Sequence, residues 1–185
     1  MAKLASKSWV KITKLLLACV QLLFLAHIVT AQAESIASYP EGWENWPTVK
    51  ESMVPGSDVI LPPETPLFIQ EAVAAYNWIN DGKGTKLTVR VHPNKLEQYK
   101  THGPYTDGAT VVGVYETPGI VFVTEHLVGE PIYGVYDKKG VDISHQHPKF
   151  QPEACIQCHS AYSDICINGT CTTPVIDLFK DSVTQ

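Results

Sequence analysis

The chain has 185 residues, with 14 Lys and Arg against 19 Asp and Glu and a net charge of −5. That acidic balance makes nucleic acid and anionic lipid surfaces poor partners. The length fits one domain behind a short leader, with enough chain to bury a modest core.

Residues 1–33 read as an export signal. Lys3, Lys7, Lys11 and Lys14 form a basic start without an acid, Leu15 to Val29 is almost continuously apolar, and Ala31-Gln32-Ala33 is an A-x-A cleavage signature. The apolar run is short for a spanning helix, which needs about 20 residues. Cys19 lies inside that run and reads as an ordinary leader residue, not a lipidation site. Cleavage after Ala33 predicts an exported, periplasmic protein with no membrane attachment. Loss of the four leader lysines leaves 10 basic against 19 acidic residues, net −9.

Residues 34–185 read as a single α+β domain. Tyr39-Pro40-Glu41-Gly42-Trp43 is a turn leading into a short predicted helix from Glu44 to Met53. Pro55, Pro62, Pro63 and Pro66 then mark an irregular stretch. Apolar residues at three- and four-residue steps predict a helix from Leu67 to Ile79. Alternation predicts a strand at Leu87–Val91, and Lys95 to His102 a short helix stopped by Gly103. Ala109–Thr117 and Ile120–Leu127 are rich in β-branched and aromatic residues and meet at Pro118-Gly119. Tyr133–Asp137 and Val141–Ser144 flank the turn Lys138-Lys139-Gly140 as a second hairpin. The expectation is an antiparallel β-sheet of four or five strands with flanking helices, followed by a helical segment from Glu153 to Tyr162.

That last segment contains Cys155-Ile156-Gln157-Cys158-His159, the C-x-x-C-H signature of covalent haem c attachment. Cys155 and Cys158 would form the thioether links, and His159 would be the proximal iron ligand. A zinc site would need further ligands, for which Cys166 and Cys171 are candidates. A dithiol redox pair would follow a strand in a βαβ unit, a pattern this chain lacks.

With its late haem motif and strand-rich middle, the chain resembles the cytochrome P-460 / cytochrome c′-β family. The resemblance runs through Tyr39-Pro40-Glu41-Gly42-Trp43 with Trp46, Tyr105-Thr106-Asp107-Gly108-Ala109, and Glu153 to His159. It implies a β-sheet with helices, one covalent haem c, dimers that are homo- or heteromeric, and a distal pocket facing the sheet. One branch of the family oxidises hydroxylamine and cross-links a sheet lysine to the haem. The other lacks that link and binds NO or CO. Neither Ala109–Thr117 nor Ile120–Leu127 contains a lysine, Lys86 precedes a strand, and Lys138 and Lys139 lie in a turn. The expectation is therefore gas binding or electron exchange with a redox partner protein, the alternative being a hydroxylamine-oxidising enzyme.

The sixth position on the iron has several candidates. Cys166 and Cys171 either form a disulfide around Asn168-Gly169 or supply a thiolate. His145 and His147 are candidate imidazoles, whereas His92, His102 and His126 read as strand-end or surface residues. Met53, the only methionine after the leader, is a further possible ligand. Arg90, the only arginine, is a candidate contact for a haem propionate or a distal ligand. Val112, Val114, Tyr115 and Phe122 are candidates for an apolar distal wall.

Overall fold

The computed structural model describes residues 36–172 and Asp177. The leader, Cys19 and the cleavage site after Ala33 lie outside the described residues. Five strands form one antiparallel sheet in the order of the chain: β1 (Thr48–Val54), β2 (Thr85–Val91), β3 (Gly108–Tyr115), β4 (Ile120–Leu127) and β5 (Glu130–Asp137). Among the described residues three α-helices with full bounds accompany it: α1 (Leu67–Tyr76), α2 (Leu96–Lys100) and α3 (Pro152–Ala161). The fold is the expected α+β architecture. Among the described residues no helix is long and apolar enough to cross a membrane.

Two segments differ from the sequence reading. Glu44 to Met53 is not a helix. A 3₁₀ turn at Trp43–Asn45 gives way to β1, which pairs with β2 from Thr48↔Arg90 to Val54↔Thr85. Sheet pairing satisfies the backbone of a segment whose own apolar residues are too sparse to settle its period. Val141–Ser144 is not a strand either. Only Asp142 bridges to Tyr136, and a 3₁₀ turn at Ser144–Gln146 follows.

The β4–β5 hairpin closes on Val128 and Gly129, with φ of 54° and 83°. Both central residues therefore lie in the left-handed region, as in a type I′ turn, whose twist matches that of the flanking strands. Asp107 steadies this turn by accepting the Val128 N–H at 2.8 Å.

The sheet is apolar on both faces because both are covered. On one face Val112, Val114, Val121 and Val123 pack against Ala37, Trp43 and Trp46 of the N-terminal segment. Full burial of each such side chain contributes roughly 1.5–3 kcal/mol. The opposite face carries Val54, Tyr115, Ile120 and Val135, which pack with Ile69 and Val73 of α1 and with Phe150. Beside them Val89, Val91 and Val111 pack with Tyr99 of α2 and with Tyr105. This second face is the one that the C-x-x-C-H segment overlooks.

Candidate haem site

Helix α3 begins with Pro152 in its first turn, where a missing N–H costs nothing. Cys155 and Cys158 lie three residues apart and so share one helix face. Both are free cysteines, Cys155 buried and Cys158 half-buried. Burial, reinforced by neighbouring Cys158, pushes the Cys155 thiol up to about 12. Burial also raises Cys158, against a smaller opposing effect of the Lys149 ammonium. These are protonated thiols rather than activated thiolates, which disfavours a dithiol redox centre.

Both cysteines and His159 border a cavity of about 1110 Å³, part of it open to solvent. The sheet contributes Leu87, Val89, Gly113, Phe122 and Tyr133 to the lining, and α1 contributes Ala72 and Tyr76. No Lys, Arg, Asp or Glu lines the cavity among the described residues. Gly113 occupies the middle of β3 on this face. A Cβ there would meet only Leu87 at 3.6 Å and Phe122 at 4.0 Å. Backbone packing therefore does not demand glycine at 113, and its bareness leaves room against the sheet for a flat group.

The imidazole of His159 is held from behind. Its Nδ1 lies 2.8 Å from the carbonyl oxygen of Gly169. A carbonyl only accepts, so Nδ1 carries the proton and Nε2 keeps its lone pair. Nε2 has no hydrogen-bond partner among the described residues. Burial lowers the His159 pKa, outweighing the opposite effect of the Gly169 bond. The neutral imidazole presents one fixed nitrogen, as a metal-ligating histidine does. An apolar slot, two free thiols on one helix face and a lone pair fixed by the opposite ring nitrogen fit a covalently bound haem.

Cys166 and Cys171 form a disulfide. Neither is a thiolate, which removes them as iron ligands and as the extra pair for zinc. Cys171 Sγ lies 3.6 Å from His159 Nδ1, on the side of the imidazole away from Nε2. His159, Cys166 and Cys171 do bring potential ligand atoms within 4.8 Å of one another, but the S–S bond occupies both sulfurs.

The other candidate residues divide between the cavity, the far face of the sheet and the surface. Arg90 faces away from the cavity, and its Nη1 donates to the Trp46 carbonyl at 2.7 Å. Strand alternation places Val89 and Val91 on the cavity side and Arg90 opposite. The same alternation puts Val112 and Val114 in the core beneath Trp43 and Trp46, not on a distal wall. Phe122 and Tyr115 do line the cavity. Met53 is 56% exposed and does not border the cavity. His147 stacks on Trp78 at 3.9 Å, and His145 is exposed. His92 accepts the Asn94 N–H and meets Trp46 edge-on, and His102 is exposed.

His126 is fully buried rather than superficial. It stacks on Tyr105 at 4.4 Å, with Nδ1 2.8 Å from the Thr110 hydroxyl and Nε2 2.9 Å from the Asn168 carbonyl. Its position in the alternating β4 pattern marks it as inward-facing, a signal that its polarity masks. Comparison of the chain with family models, with curated proteins and with solved structures gives no match.

Proposed function

We propose that the chain is an exported monohaem c-type cytochrome, similar to the cytochrome P-460 / cytochrome c′-β family, which binds NO or CO. Cys155 and Cys158 would hold the haem, and His159 Nε2 would be its proximal ligand. When bound, the haem would supply an iron able to take a diatomic gas. The observation that carries the reading is the pairing of C-x-x-C-H with a mostly apolar cavity that offers no rival ligand among the described residues. No methionine, lysine or second histidine lines that cavity among the described residues.

Tyrosines do line it, but burial raises the Tyr76 and Tyr115 hydroxyls. They stay protonated, and a phenol ligates poorly whereas a phenolate ligates well. The absence of a lining lysine also supports gas binding over the hydroxylamine-oxidising chemistry of the family's cross-linked branch. Lys86 instead pairs with Glu51 at 2.6 Å, and Lys138 with Glu116 at 3.0 Å. A redox partner protein would set the iron's oxidation state.

The test is to mature the chain in a host with cytochrome assembly machinery. The expected product stains for haem on a denaturing gel and changes its ferrous spectrum with CO and with NO. A colourless product of polypeptide mass overturns the haem reading. A haem protein silent to both gases is an electron carrier instead.

A further inference from the structure

The loop closed by the Cys166–Cys171 disulfide sits directly behind His159. Its 3₁₀ turn, Ile167–Gly169, includes Asn168 in the left-handed region at φ 49°. Four hydrogen bonds fasten it. Asn168 donates its side-chain amide to the His102 carbonyl at 2.8 Å and accepts from His126 Nε2 at 2.9 Å. The Gly169 carbonyl accepts from His159 Nδ1 at 2.8 Å and from the Tyr133 hydroxyl at 2.9 Å. Tyr133 also packs against the imidazole, with ring centroids 4.7 Å apart.

We propose that this disulfide-closed loop positions and tunes the proximal ligand, with Tyr133 as the positioning residue that sets how strongly Gly169 pulls on the imidazole proton. The proposal rests on the haem reading above. A carbonyl oxygen has two lone pairs, and here two donors share them. Each donor takes electron density that the other then lacks. The Tyr133 hydroxyl thereby weakens the Nδ1–H···O bond. A weaker bond leaves His159 less anionic and a poorer donor to iron, since such outer contacts set ligand basicity. The disulfide has a separate role. It closes the loop on itself and so holds the turn Ile167–Gly169, and with it the carbonyl, in one shape.

The test uses the haem-loaded protein and two variants, Tyr133→Phe and the double variant Cys166→Ser/Cys171→Ser. Haem content is read first by staining after denaturation. The readouts are the ferrous iron–imidazole stretching frequency and the midpoint potential, neither of which depends on gas binding. Tyr133→Phe keeps the ring and removes the competing hydroxyl. It is expected to raise the stretching frequency and lower the potential. Opening the loop is expected to act oppositely, lowering and broadening the stretching band as the carbonyl drifts. Should the double variant fail to fold, Tyr133→Phe decides alone. Parent-like frequency and potential in a haem-loaded Tyr133→Phe overturn the tuning role. A haem-free parent overturns the haem reading, and the proposal with it.

Discussion

His126 Nε2 lies 2.9 Å from the carbonyl oxygen of Asn168, one residue before the carbonyl that holds His159. Two imidazoles from different elements thus grip successive peptide groups of one loop. His126 belongs to β4 and His159 to α3. Because the Asn168 carbonyl only accepts, His126 is protonated at Nε2, and its Nδ1 takes the Thr110 hydroxyl proton. Protonating Nδ1 would reverse that second bond, with the Thr110 oxygen accepting and its proton turning to the Gly108 carbonyl at 3.2 Å.

This geometry predicts an acid-sensitive fold. Burial lowers the His126 pKa below its ordinary 6.5, outweighing the Asn168 bond and the Asp107 carboxylate, while Lys95 adds to the lowering. The unfolded chain then binds the proton more readily than the folded one. The stabilisation is fully present above about pH 6.5, the unfolded value, and is lost as pH falls through the folded value. His126→Leu orphans the Asn168 carbonyl, leaves Thr110 only the Gly108 carbonyl, and is expected to cost about 1–3 kcal/mol at neutral pH. Urea unfolding at pH 7.5 and 5.5 should show the gap between parent and variant narrowing on acidification. An equal gap at both values refutes the assignment.

Gly169 has φ of +71°, and a Cβ there would collide with the Pro131 ring and come within 2.8 Å of the Tyr133 hydroxyl. Gly169→Ala should lose about 1–3 kcal/mol through backbone strain and crowding. Denaturant midpoints of the two proteins check this.

Gly113 makes the opposite case. A side chain there meets no backbone obstacle and projects into the cavity. Gly113→Leu should leave the stability of the haem-free chain nearly unchanged, within about 0.5–1 kcal/mol, the usual penalty or gain of a strand glycine. It should sharply reduce the yield of covalently attached haem. Unfolding curves and haem staining of matched preparations separate the two effects, and normal haem yield would remove Gly113 from the site.

Arg90→Lys tests the far face. The lost guanidinium bond to the Trp46 carbonyl should cost about 1 kcal/mol. The absorption spectrum of the haem-loaded protein should stay as in the parent. A shifted spectrum would return Arg90 to the haem environment.

What was legible in the sequence follows from what repeats or clusters. The strands Ile120–Leu127 and Leu87–Val91 announce themselves by β-branched runs, and C-x-x-C-H is local enough to be read directly. The strand at Thr48–Val54 was not legible because its pairing with β2 lies in a distant stretch of chain. Facing was the harder problem. In a sheet covered on both sides, apolar runs do not say which alternate residues meet the cavity, so Phe122 and Val112 could not be separated. The loop behind His159 joins residues from β4, β5 and α3, and no spacing along the chain encodes that meeting.

The outer margin of β5 is occupied by the chain itself. Ala37 donates to the Tyr133 carbonyl, Ile143 to the Val135 carbonyl, and Asp137 to the Val141 carbonyl. Three of its outward backbone groups are thereby taken, so a neighbouring molecule finds only an interrupted template there for adding a strand. The border of the sheet nearest the C-x-x-C-H helix is blunted against fibrous growth, which directs any association of copies toward side-chain surfaces or elsewhere on the molecule.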